Sequence, residues 1–147
     1  MPALLLALVL GGFNTYTVQL VSCYDGDTCD FNFVFPVSAE PGLSLKIETT
    51  VTAVAQTVRF CDVNAPEIRP LDTREAGTRS RDALVAWLKA AKVITIQIPQ
   101  EKTCPKPGYC DAKEKYGRWL GYVLADGVNL NQKLIADGLA VSFMSCQ

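Results

Sequence analysis

Three short segments concentrate polar side chains in otherwise apolar sequence: Asp25-Gly26-Asp27-Thr28, the run from Arg59 to Glu67, and Lys115-Tyr116-Gly117-Arg118. Their residue types suit attack by water on a phosphodiester. Arginine offers a rigid fork of donors that fits two phosphoryl oxygens and stays charged at any working pH. Carboxylates can hold a hard cation that binds both water and a phosphoryl oxygen. A further carboxylate within hydrogen-bond reach can take the proton from that water, or aim it. Losing one such phosphate donor costs on the order of 3 kcal/mol in the transition state, by analogy with a single oxyanion donor.

Each segment also has an ordinary explanation when taken alone. Asp-Gly-Asp is a common hairpin turn. An arginine in a strand most often meets a surface carboxylate, and a glutamate after proline can simply cap a turn. Only their conjunction carries weight.

Composition narrows the chemistry further. The chain has 147 residues, 49% of them hydrophobic and 20% charged, which is enough for one domain with a real core. Its net charge is −1, so any nucleic-acid role rests on a local site, not on a broadly basic surface. There are no histidines, which removes Ser-His and Cys-His catalysis and any imidazole metal site. Six cysteines are dense for this length. Residues 2–12 form an apolar run of the size of a signal-peptide core, too short to span a bilayer, so residues 1–13 read as a signal-peptide h-region, whole or clipped, with a buried N-terminal strand or helix as the alternative. Both features point to export, as a secreted or periplasmic protein with no membrane partner.

The elements that must position the three segments follow from periodicity. Tyr16 to Val21 alternates as a strand, Asp25-Gly26-Asp27-Thr28 turns it, and Asp30 to Val37 returns. Residues 38–57 are Thr-rich and irregular, an extended loop or an extra hairpin. Thr57 to Val63 is the next strand. A helix is expected from about Asp72, with Asp72 and Glu75 as a capping box and Leu84, Trp87, Leu88 and Ala91 as its buried face. Arg74, Arg79 and Arg81 form its solvated face. Val93 to Ile98 and Trp119 to Ala125 are strands flanking a polar loop. A short helix closes the pattern, with Asn129 and Gln132 as its cap pair, Leu130, Leu134 and Ile135 facing inward, and Gly138 as its stop. This order suits one domain over residues 16–147: a mainly β, α+β, five-stranded Greek-key barrel of the OB type with one long and one short helix outside.

The motifs "DGDT", "VRFCDVNAPE", "REAG", "KYGRWLGYVLADG" and "LNQKLIADGLA", in this order, resemble the staphylococcal nuclease (thermonuclease) family over roughly residues 16–143. Residues 38–55 and 100–112 are unmatched insertions. The resemblance implies an OB-fold, a monomer, and a calcium-dependent endonuclease or exonuclease acting on single-stranded or melted DNA and RNA. It also implies roles. Arg59 and Arg118 are the phosphate-binding arginines, Glu67 orients or deprotonates the attacking water, and Lys115 and Tyr116 hold a terminal phosphate. Asp27 is the first metal carboxylate. The second metal carboxylate of the family falls on Asn64, and the residue lending a backbone carbonyl on Ala65. An amide oxygen brings less charge, so calcium should bind more weakly unless Asp62 or Asp25 compensates. Phe143 falls either near the nucleotide or in the core.

Among the cysteines, Cys23 and Cys29 lie equally far from Gly26 and should face each other across the hairpin. Cys104 and Cys110 bracket a Pro-Gly loop and form the second expected bridge, leaving Cys61 and Cys146 paired or free. A zinc site is disfavoured by the long spacing and the lack of histidine. Two other functions compete with the nuclease: a non-catalytic OB module binding single strands, and an exported partner-binding domain. The full set of Arg59, Glu67 and Arg118 favours the enzyme.

Overall fold

A computed structural model describes residues 12–101 and 110–146. The strands are β1 (Phe13–Asp25), β2 (Thr28–Ala39), β3 (Ile47–Phe60), β4 (Val63–Asn64), β5 (Ile94–Pro99), β6 (Trp119–Ala125), β7 (Val128–Asn129) and β8 (Val141–Ser142). The helices are α1 (Arg74–Ala90) and α2 (Leu130–Ala136). Five strands pair in the order β3-β2-β1-β5-β6, and a parallel contact between β3 and β6 closes them into a ring. This is the expected OB-type barrel, with its two helices outside.

Alternation fills the interior. Phe31, Val58, Phe60, Ile96, Ile98 and Val123 point inward and are almost wholly buried, and Leu84 and Leu88 of α1 with Leu130 and Leu134 of α2 seal the core from outside. Asn131 is a buried polar tie. Its amide donates to the carbonyls of Cys61 (2.8 Å) and Gly121 (3.1 Å), and its oxygen accepts from Val123 N–H at 2.9 Å. All its polar atoms are satisfied, so it binds α2 to β6 and to the Cys61 turn after β3 without an unpaired group.

Several boundaries differ from the sequence expectation. Residues 38–57 are not a loop; the extra hairpin is what forms. β2 and β3 stay paired out to Ala39 and Ile47, well past the last β1–β2 pair at Thr17 and Val34. Phe35, Val37, Ile47 and Val51 on this arm are exposed, so no inside–outside alternation marks it as strand.

Helix α1 begins at Arg74, not Asp72, and the expected Asp72/Glu75 capping box does not form. Thr73 is the N-cap without a side-chain cap bond; its hydroxyl donates instead to the Glu67 carbonyl at 2.7 Å. The second cap forms as expected, with Asn129 Oδ1 accepting from Gln132 N–H at 3.1 Å.

Cys23 and Cys29 are directly opposite across the β1–β2 hairpin and are disulfide-bonded. Cys61 and Cys146 form a second bridge, choosing between the two options left open for them. Cys110 is also in a disulfide, and the expected partner, Cys104, lies outside the described residues. The apolar run at residues 1–11 lies outside them too.

Candidate active site

The β1–β2 turn builds the acidic side of the site. Asp25 pairs with Thr28, leaving Gly26 and Asp27 as a two-residue loop clamped by the adjacent disulfide. A Cβ at Gly26 would overlap the Ser80 hydroxyl and lie 2.8 Å from Ser80 Cβ and 2.9 Å from Ala65 Cβ. Only glycine lets the turn pack between α1 and the chain after β4. Gly77 does the same one turn earlier in α1, where a Cβ would lie 2.7 Å from the Pro66 carbonyl oxygen and 2.8 Å from that of Glu67. Helix α1 therefore seats both the Asp27 turn and the Ala65–Glu67 segment.

Asp27 is buried and well held. Its Oδ2 accepts from the Ala65 N–H at 2.7 Å and lies 3.4 Å from Arg59 Nη2, while Oδ1 accepts from Thr28 Oγ1 at 3.1 Å. The Asp27 N–H donates to Asp25 Oδ1 at 3.1 Å. Burial, then a hydrogen bond with the Asp27 side chain and its charge, push the Asp25 carboxyl up to about 6, against the pull of Arg59. Two carboxyl groups are thus confined side by side, a pairing that a bound cation would relieve.

The arginines converge from neighbouring strands. Arg59 on β3 pairs with Thr28 of β2 on one side and Leu120 of β6 on the other. Arg118 immediately precedes β6, whose Leu120 is the parallel partner of Arg59. The Asp27 and Asp25 charges contribute to raising the Arg118 pKa, after the larger effect of its hydrogen bond to Glu114. Arg59 is further fixed by Nη1 donating to the Phe60 carbonyl at 2.9 Å, and its Nη2 reaches Asn64 Oδ1 at 3.5 Å. Arg118 Nη2 donates to Glu114 Oε2 at 3.1 Å, and among the described residues its buried Nε has no partner.

Glu114 organises the third segment and was not singled out from sequence. Its Oε1 accepts the N–H groups of Tyr116 and Arg118, both at 2.9 Å, around a turn in which Gly117 has φ +80°. The bond to Arg118 is the main cause holding the Glu114 carboxyl below its ordinary value. The i,i+4 spacing of Glu114 and Arg118 was the available signal. Lys115 and Tyr116 are exposed, with the Lys115 ammonium 5.0 Å and the Arg118 guanidinium 5.7 Å from the Tyr116 ring centre.

Glu67 follows by two residues Ala65, whose N–H is bonded to Asp27. Its side chain is exposed, and among the described residues its carboxylate makes no hydrogen bond or ion pair. Asn64 is exposed beside it. Asp62, a candidate to replace the missing carboxylate, is occupied elsewhere. Its Oδ1 accepts from the Ser145 N–H at 3.1 Å and the Cys146 N–H at 3.0 Å, and its Oδ2 from the Tyr122 hydroxyl. Asp25 is the carboxylate actually at the turn. Phe143 is 53% exposed and is not a core residue.

Among the described residues no group of three or more His, Cys, Asp or Glu side chains could hold a metal ion. The donors present at the turn are two carboxylates, Asp25 and Asp27, with the Asn64 amide oxygen 3.5 Å from the same Arg59 Nη2 that reaches Asp27. All are oxygens, the type a hard divalent cation takes, with fewer charges than a high-affinity site. The residues therefore fit such an ion in kind.

The family model described as staphylococcal nuclease homologue matches residues 57–147. The chain belongs to this family. Arg59, Glu67, Lys115 and Arg118 fall inside the match to the staphylococcal nuclease homologue, whereas Asp25 and Asp27 precede it and are brought to the same place by the barrel. No curated protein matches the chain.

Proposed function

We propose that this staphylococcal nuclease homologue is a calcium-dependent phosphodiester hydrolase acting on single-stranded DNA or RNA as a monomer. The observation that supports the reading is that Arg59 lies 3.4 Å from Asp27 and that the charges of the same Asp25–Asp27 turn also act on Arg118. The two guanidinium groups grip the phosphoryl oxygens and neutralise charge that builds as water attacks. Glu67, with its carboxylate free, accepts the proton from that water. Lys115 and Tyr116 hold the neighbouring phosphate. Asp25 and Asp27, with Asn64 and Ala65 oxygens, would hold the cation, which supplies Lewis-acid charge and a more acidic water. The bridges Cys23–Cys29 and Cys61–Cys146 support placing the protein outside the reducing cytosol, secreted or periplasmic.

Glu67→Gln is the test. Cleavage of a single-stranded oligonucleotide should fall by roughly 100-fold or more, while anisotropy shows the strand still bound. Binding by the wild-type chain without cleavage would replace the enzyme by a single-strand-binding module.

A further inference from the structure

The barrel has a second polar-and-aromatic site that the chemistry above does not use. Its mouth holds a cavity of about 220 Å3 walled by the rings of Tyr16, Phe33, Phe35 and Trp119, with Gln56 and Asp111 as its polar members. Tyr16 lies 5.5 Å from Phe33, tilted by 54°, and 5.9 Å from Phe35, edge-on at 77°, so a flat group can lie against one ring with the edges of the others around it. This volume is below the ~300–1,000 Å3 typical of drug-sized ligands, which suits one flat group.

Asp111 is positioned with care. Its Oδ1 accepts from Asn14 Nδ2 at 2.6 Å and its Oδ2 from the Tyr16 hydroxyl at 2.5 Å. Burial, then the bond to Asp111 and its charge, raise the Tyr16 pKa, so the phenol stays a donor. Both Asp111 partners are neutral, and among the described residues each carboxylate oxygen accepts one bond and keeps capacity for another. A carboxylate with an acceptor to spare on each oxygen, lining a cavity with aromatic rings, fits a flat ligand with two adjacent donors. A simple organic cation is disfavoured, because the Lys113 ammonium already lies 3.9 Å from the Trp119 ring centre. That ammonium instead suits an anionic backbone passing the mouth.

We propose that the barrel mouth is a guanine subsite for the nucleic-acid strand, an inference that rests on the nucleic-acid reading of this barrel and adds a base preference to it. Among the bases only guanine presents two neighbouring donors, N1–H and the 2-amino group, on its pairing edge. Adenine turns a ring acceptor toward the same carboxylate. The aromatic wall supplies sequence-tolerant stacking, and Asp111 supplies the discrimination. The subsite is within reach of the arginines: Trp119 directly follows Arg118, and Gln56 precedes Arg59 by three residues on β3, about 10 Å of strand.

Calorimetric titration of the whole chain with guanosine, inosine and adenosine 5′-monophosphates, with chelator present, tests this without any cleavage. Guanosine monophosphate should bind about tenfold more tightly than adenosine monophosphate, with inosine monophosphate, which lacks the 2-amino group, between them. Asp111→Asn should bring the guanosine compound down to the adenosine level. Equal affinities in the wild-type chain, which need no variant to fold, would overturn the subsite, as would a preference that survives Asp111→Asn. A chain that prefers the guanine nucleotide but cleaves no strand keeps the subsite and loses the hydrolase; one that cleaves without base preference does the reverse.

Discussion

Replacing Gly26 by alanine should damage stability and catalysis together, and the size of each effect follows from the packing. The added methyl group has no room: it overlaps the Ser80 hydroxyl and comes within 2.9 Å of Ala65 Cβ, and both neighbours are buried. Either α1 or the turn must move. Overpacking of this kind costs about 1–3 kcal/mol. For a chain of this size that lowers the melting temperature by on the order of 5 °C. The turn is the softer partner, because Ser80 is anchored in a 17-residue helix whose Leu84 and Leu88 are in the core. A shift of about 1 Å in Asp27 would cost roughly 100-fold in turnover. The assay pairs thermal unfolding with the initial rate of oligonucleotide cleavage well below the melting temperature. Leu134→Ala is the control. It should lose about 2–5 kcal/mol of stability from a wholly buried site on α2 while keeping its rate per folded molecule. If Gly26→Ala loses stability but cleaves normally, the position of Asp27 does not govern the reaction. If it is as stable as the wild type, the turn does not pack as described.

Arg118→Lys should lower kcat/KM by about 100- to 1,000-fold, because an ammonium cannot reproduce the planar guanidinium fork, and steady-state kinetics would show it. The two disulfides should differ in worth. Removing Cys61–Cys146, which spans 85 residues, should cost about 4–5 kcal/mol, and removing Cys23–Cys29, which spans 6, about 2 kcal/mol, as read by denaturant unfolding of the paired Cys→Ser variants. Asp126 is held below its ordinary value by the Val93 and Lys92 N–H groups. Because its folded pKa is the lower one, its contribution is present above the unfolded carboxylate pKa and is lost as pH falls through the folded value. Asp126→Asn should therefore flatten the acid side of the stability profile while leaving its alkaline side unchanged.

What could be read from the chain in advance was what depends on neighbours in sequence. The Asp25–Thr28 turn, the Asn129 cap with Gln132, the Cys23–Cys29 pairing and the strand from Trp119 to Ala125 all rest on local spacing, and the structure reproduces each. The β2–β3 arm could be narrowed only to a loop or an extra hairpin, because strand is normally recognised by one buried face, and this arm has none beyond the barrel. The cap of α1 escaped for a tertiary reason: Thr73 is drawn to the Glu67 carbonyl, and α1 is set by Gly77 packing on Pro66 and Glu67. At the candidate site, Arg59 and Arg118 were visible as parts of motifs. The choice between Asp25 and Asp62 was not, because it depends on the C-terminal segment folding back onto Asp62 across more than 80 residues.

The central claim is that Arg59, Arg118 and Glu67 act on a phosphodiester with a divalent cation held at the Asp25–Asp27 turn. The direct measurement follows a labelled single-stranded DNA and a matching RNA incubated with the purified protein in calcium, then in chelator, then with calcium restored. The account predicts cleavage that stops on chelation and resumes with calcium. Equal cleavage throughout would remove the cation from the chemistry, and strands left intact under every condition would contradict the claim outright.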